Sequence, residues 1–376
     1  MTTAAAYWLE RIRALPLPHK VKVMNVCGGH ERSITMAGLR AVLPETVELI
    51  PGPGCPVCVC PEEDLYDAIQ LSLAEKITLV AFGDMLRVPV NGPKGEARTL
   101  EQARARGADI RPIASPREAA AIAVSQPQRA VIFFATGFET TTAPVAALLA
   151  EGIPDNLFIL LSARRTWPAV AMLLDSGEAN FQALIAPGHV ATIMGPEEWG
   201  AAVDTFHMPT AVAGFEPVSL LAATYSVLRQ WLEGRPFLDN CYDGVARPGG
   251  NALARRFLAQ TMDIVNANWR GIGPIPASGY ALNEDWRAHD ARARFFPAMG
   301  NDRRRAGEMP PGCDCAKVVL GRIYPNECYL YGRACTPRTP IGPCMVSDEG
   351  ACRIWWSSGV RENKVSGRRS QVTGRR

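Results

Sequence analysis

Apolar residues in the first two-thirds of the chain fall into short runs that mostly do not alternate with polar ones. The runs are Val21–Val26, Val47–Ile50, Ile77–Phe82, Ile110–Ile113, Ala130–Phe134, Leu157–Leu161, Ala183–Ile185 and Thr210–Ala213. Strands buried on both faces read this way, because neither face meets water. Helical stretches separate them: Glu62–Ala74, Leu100–Arg106, Pro116–Val124, Thr142–Ala150, Pro168–Leu174 and Pro217–Leu232. Several open on a proline or an acidic first turn, as in "CPEEDLYDAI" and "SPREAAAI", which suits a helix N-terminus. Strands alternating with helices predict parallel sheets covered on both faces. Eight strands fit two such sheets better than one. The expected fold is therefore α/β, with two doubly wound parallel-sheet domains over residues 1–125 and 126–234 that divide at "SQPQR".

After about Gly234 the pattern decays. "RPGGNALARRFLAQTMDIV" reads as one more helix, followed by Gly/Pro-rich stretches such as "GIGPIPASG", "EMPPGCDC" and "TPRTPIGPC". A segment of this kind buries little core unaided, so a bound metal or cluster is expected to supply the missing constraint. Residues 235–356 are accordingly read as an irregular, cysteine-rich third domain. Residues 357–376, "SSGVRENKVSGRRSQVTGRR", are read as a basic, solvated tail,.

Composition narrows the function classes. The net charge of +3 is small, and "RRRAG" and the tail supply much of it, so nucleic acid is not indicated. No apolar run reaches the length of a membrane-spanning helix. The N-terminus lacks the basic-then-apolar order of a signal peptide. The expected location is the cytoplasm, where thiols stay reduced. Eleven cysteines there point to metal or redox chemistry rather than to structural disulfides.

In open parallel sheets, ligands bind beyond the carboxyl ends of the strands. Cys27 in "VKVMNVCGGHE" and Cys55 in "VELIPGPGCPVC" both follow strands, so both can face one crevice. The Cys27–His30 pair suits a soft metal or a nucleophile with its base. A glycine turn with a buried cysteine is the plain alternative. Cys55-x-x-Cys58 before a helix start suits redox exchange or metal capture. "ATGFETTTAP" follows another strand but lacks the phosphate-loop lysine. Its Glu139 is either a proton carrier in the crevice or part of a helix cap. "APGHV" and "AGFEP" add His189 and Glu216 at further strand ends. Cys241 stands alone and reads as structural. Downstream, Cys313, Cys315, Cys328, Cys335, Cys344 and Cys352 offer enough thiolates for an iron–sulfur cluster or for tetrahedral zinc.

Together, "CGGHE", "GPGCPVC", "FGDMLRVP", "GFETT", "APGHV", "AGFEP", "WRGIG", "CYLYGRAC" and "MVSDEGAC" occur in an order that resembles the HypD family of hydrogenase maturation factors, from about Val21 to Trp356. The resemblance implies two α/β domains and a third holding a 4Fe–4S cluster. It implies a scaffold on which the Fe(CN)2CO unit of nickel–iron hydrogenase is built, together with a HypC-type chaperone and a HypE-type cyanide donor. Carried over by motif, Cys27 binds the iron with His30 beside it, and Cys55 and Cys58 form a redox-active pair. Cluster ligation maps onto Cys315, Cys328, Cys335 and Cys352, leaving Cys313 and Cys344 as non-ligands. The chain departs from the family pattern at Arg32 and Arg164, where histidines are expected, at the extra Cys60, and in "CAKV". The competing readings are a stand-alone thiol–disulfide oxidoreductase fed by a cluster, and a zinc-binding adaptor.

Overall fold

The computed structural model describes residues 3–93, 95–296 and 309–362. The "RRRAG" run and residues 363–376 of the basic tail lie outside them. The eight expected strands all form: β1 (Val21–Asn25), β2 (Val47–Pro51), β3 (Thr78–Phe82), β4 (Asp109–Ile113), β5 (Val131–Gly137), β6 (Leu157–Arg164), β7 (Ala183–Pro187) and β8 (Thr210–Ala213). All seven residues of β5 are buried, as its unbroken apolar run requires. Phe133 and Phe134 point to opposite faces and are both fully buried, each contributing roughly 1.5–3 kcal/mol. Helix Glu62–Ala74 forms with the expected bounds. Helix Pro116–Ser125 starts from a reciprocal cap between Ser115 and Glu118, which satisfies backbone N–H groups at its open end.

Three further strands were not legible as strands. β9 (Leu238–Cys241), β10 (Met262–Trp269) and β11 (Gly273–Leu282) fall in the segment expected to be irregular. The helix read through "TMDIV" stops at Thr261, and Met262 begins β10. β10 and β11 form an antiparallel hairpin, so their composition follows a half-exposed surface rather than a buried parallel strand.

The sheets do not follow the expected division at residue 125. One sheet has the order β2-β1-β7-β8-β9 and the other β10-β11-β6-β5-β3-β4. The chain thus begins in the five-stranded sheet, builds β3–β6 of the six-stranded one, returns for β7–β9, and leaves again for β10–β11. "SQPQR" lies between β4 and β5 of a single sheet, so it is a loop within a unit and not a boundary. The first sheet is wholly parallel. The second is parallel from β6 to β4, with β11 antiparallel to β6.

Residues 309–362 form short helices at Cys315–Val319 and Ala351–Ser357, with single turns between them. They do not stand apart. Cys315, Cys344, Cys352 and Trp355 share one hydrophobic core with Cys55, Cys58 and the helix Glu62–Ala74. Buried Glu31 ties the segment to the first sheet: it accepts from Trp355 Nε1 at 2.7 Å and pairs with Arg40 at 2.8 Å.

Candidate thiol and metal site

The β1 strand ends at Asn25, and two residues later Cys27 is the N-cap of helix Gly28–Met36. The sequence suggested a sharp turn at the glycines, but both are helical. Their small size serves close approach instead. A Cβ on Gly28 would run into Glu349, and one on Gly54 would run into the Cys27 backbone. The "PGPGC" loop can therefore lie on Cys27, fixed by a bond from Gly28 N to Gly54 O of 2.9 Å.

Cys55 in turn caps the four-residue helix Pro56–Val59, accepting from Cys58 N at 3.2 Å. Cys55 and Cys58 are joined as a disulfide. Cys27, Cys55, Cys58, Cys344 and Glu349 line one small crevice, with Asn25 at its base. Asn25 spends both amide hydrogens on Glu31 and Ile50 O. Its buried Oδ1 has no partner among the described residues.

Burial, and then the Glu349 carboxylate, push the Cys27 thiol up to about 12, while the N–H groups of His30 and Gly29 work the other way. At neutral pH Cys27 is therefore a thiol, and any metal bound through its sulfur would have to displace a proton. Glu349 is itself raised to about 6 by burial and by Asp84. Glu349 was not singled out from the sequence; its place in "DEGAC", three residues before Cys352, was the available signal.

His30 and Glu139 do not line this crevice. His30 is fully buried, with Nε2 donating to Ala213 O at 3.0 Å, and burial holds it down to about 4. Phe215 lies against it and stacks on His189 at 3.7 Å. Glu139 accepts from both the N–H and the hydroxyl of Thr166 at 2.7 Å, tying the start of the helix after β5 to the start of the helix after β6. Burial raises it to about 7 against those bonds. Glu216 is exposed.

On the far side of the crevice, the sulfurs of Cys315, Cys344 and Cys352 lie within 4.8 Å of one another, a geometry that can hold a metal ion or an iron–sulfur cluster. Cys344, set aside by the motif mapping, belongs to this triad as well as to the crevice wall. Cys313 Sγ lies 3.4 Å from Cys315 Sγ. Gly342 lets the chain press onto both, since a Cβ there would overlap both sulfurs. Cys328 and Cys335 are buried but fall outside the triad, and Cys335 accepts from Ile341 N at 3.4 Å. Hydrogen bonds from Cys315 and Cys352 hold Cys344 below the ordinary thiol range.

Residues 3–359 match the model of the HypD family, described as "Hydrogenase formation hypA family". The chain belongs to the HypD family. It is 35% identical to the hydrogenase maturation factor HypD of Escherichia coli K12 over 352 residues, covering 92% of this chain and 91% of that one. The HypD factor of Rhodobacter capsulatus is 37% identical over 343 residues, 90% and 89% of the two chains. A putative hydrogenase expression/formation protein of Methanocaldococcus jannaschii is 36% identical over 341 residues, 90% and 92%. Hydrogenase maturation is thus the function of the family to which this chain belongs. Among the described residues, no helix is long and apolar enough to cross a membrane.

Three of the four departures from the HypD pattern can be placed in the fold, and nothing in the structure explains "CAKV". Arg32 is exposed. Arg164 and Cys60 meet in one buried network: Cys60 Sγ lies 3.4 Å from Ser162 Oγ, and Ser162 donates to Asp64 at 2.6 Å. Asp64 also pairs with Arg164 at 3.3 Å and with Arg292 at 2.6 Å. The arginine charge is thereby neutralised within the fold.

Proposed function

We infer that this HypD-family chain is a cytoplasmic scaffold and redox protein for assembly of the Fe(CN)2CO unit. In this reading it binds iron jointly with a HypC-type chaperone and takes cyanide from a HypE-type donor. The observation that supports the reading is the shared crevice of Cys27, the Cys55–Cys58 disulfide and Cys344, because a thiol free to take iron, a redox-capable pair and one member of a thiol triad able to hold a metal line it together.

Cys27 holds the incoming iron through its sulfur, giving up its proton as it does so. Its place as a helix N-cap directs the backbone N–H groups of Gly29 and His30 toward the resulting charge. Release of cyanide from a thiocyanate on the donor's cysteine takes two electrons. The carrier S–C bond breaks, the carrier sulfur leaves as a thiolate, and cyanide passes to the iron. Cys55 and Cys58, as a dithiol, supply the electron pair by closing to the disulfide and releasing two protons. The disulfide must then be reopened by two electrons and two protons, the electrons drawn from an external one-electron reductant. When bound, a 4Fe–4S cluster at the cysteine array supplies single electrons. Cys315 and Cys352 would hold it, with Cys328, Cys335 and Cys344 competing for the remaining positions. His30, neutral and hydrogen-bonded to Ala213 O, keeps the helix that starts at Cys27 in place rather than carrying protons. Glu139 does the same for the helix after β6.

The test is an infrared spectrum of the anaerobically purified protein, co-expressed with the chaperone. Cyanide and carbonyl stretching bands are expected in the wild type, and they should vanish in Cys27→Ala while the visible absorption of the cluster persists. Bands that survive in Cys27→Ala remove that residue as the iron ligand. A wild type with thiol–disulfide activity but no such bands would favour the stand-alone oxidoreductase.

A further inference from the structure

Each parallel sheet has its own switch point, and the thiol crevice occupies only one of them. In the five-stranded sheet, β1 leads to β2 on one side while β7 leads to β8 on the other, and Cys27 follows β1 at that divide. In the six-stranded sheet the divide lies between β3 and β5. β3 leads to β4 on one side, and β5 leads to β6 on the other. A cleft of about 660 Å³ opens there, at the carboxyl ends of β3, β4 and β5. Crevices in this position are where open α/β sheets take ligands.

We propose that this second cleft binds a small organic cation, an ammonium or guanidinium group on a short aliphatic body. Phe82, Pro112 and Ile113 from the strand ends and Pro56 and Val57 from the disulfide helix supply apolar walls. The polar lining is Asp84, Glu118, Thr136 and Thr141, and among the described residues no lysine, arginine or histidine lines the cleft. That charge pattern excludes phosphates and carboxylates and favours a cation. The hydrogen bonds inside the protein engage one oxygen of each carboxylate. Asp84 Oδ2 accepts from Ser347 Oγ and Asp348 N, and Glu118 Oε1 accepts from Ala114 N and Ser115 N. Thr136 is the second, independent sign of a ligand. Its side chain is 95% buried, it lines the cleft, and its Oγ1 has no partner among the described residues. Buried hydroxyls are almost always satisfied; this oxygen is closed off as it stands, and rotation of the Thr136 side chain would turn it toward a donor-rich head group in the cleft.

The same head group can come from a free amine or from an arginine side chain presented by another protein. Titration calorimetry on the anaerobically purified full chain, with agmatine as one probe and a doubly blocked arginine tetrapeptide as the other, separates these sources. Saturable binding of either supports the site, and the tighter probe names the source. The methyl resonances of Val57 and Ile113 should shift on binding. Asp84→Asn should weaken binding by about tenfold or more, and Thr136→Val by about fivefold, the ratios expected for losing a charged and a neutral hydrogen bond. Absence of saturable binding by both probes in the wild type overturns the proposal. So does binding that leaves the Val57 and Ile113 methyls unmoved. The proposal does not rest on the hydrogenase reading, since no iron or partner enters the measurement.

Discussion

The Cys27 crevice and the C-terminal cysteine array differ in what holds their thiols. In the crevice, Cys27 and Cys55 are each the cap of a helix that follows a parallel strand, and the two strands, β1 and β2, are neighbours in the five-stranded sheet that sets their positions. In the array, Cys313 to Cys352 sit on short turns and two helices of five and seven residues, and packing against the six-stranded unit holds them. The crevice is preorganised by regular backbone, whereas an array held by turns would gain its final geometry from any metal or cluster bound to it. The crevice should therefore fail through backbone clashes, and the array through loss of individual ligands.

The largest expected effect is Gly54→Val. Its side chain would overlap the backbone of Cys27, and overpacking of this kind costs about 3 kcal/mol. Chemical denaturation should show the loss, and iron retention should fall with it even though every thiol is present. Full stability in Gly54→Val would mean that the crevice is not set by backbone contact. Next comes Cys344→Ala, which should reduce the visible absorption of the cluster more than Cys313→Ala does, because Cys344 lies in the converging triad. The opposite ranking would put Cys313, and not Cys344, in the ligand set.

A smaller effect concerns pH. Burial raises Glu139 and Glu62 to about 7, from the 4.5 that is ordinary for a glutamate. Between those limits the folded protein holds protons that the unfolded chain has released, so stability falls as pH rises through the window. Glu139→Gln should flatten that slope in thermal melts across the same range; an unchanged slope would show that Glu139 is ionised in the fold. The smallest effect is Cys60→Thr, a change within about 1 kcal/mol because the hydroxyl can take the place of the thiol beside Ser162. Paired with Arg164→His, it should deviate from additivity, since both positions meet at Asp64. Additive melting temperatures would separate them.

Much of this molecule was legible before its fold. The buried strands announced themselves as non-alternating apolar runs, and Cys27 and Cys55 were correctly expected at one crevice because both follow strand ends. The hairpin β10–β11 was missed because its residues mix exposed and buried positions without a period of two and contain Gly273, Pro274 and Pro276, which read as coil. Glu139 and His30 looked like crevice residues from their motifs. Their side chains instead bond to Thr166 and Ala213, and nothing in local spacing indicates in which direction a side chain at a strand end will point.

Local patterning by itself determined which segments are strands, where most helices begin, and that thiol chemistry gathers at strand ends. These are short-range properties, set by burial periodicity and by the open N–H groups of helix starts. The tertiary structure alone decided which strands are neighbours, sending the chain between the two sheets three times instead of once. It also placed Cys344 between the crevice and the thiol triad. An apolar run records that a strand is covered on both faces but carries no mark of which strand lies beside it. Irregular spacing among cysteines likewise carries no mark of which sulfurs converge until the coil between them has packed.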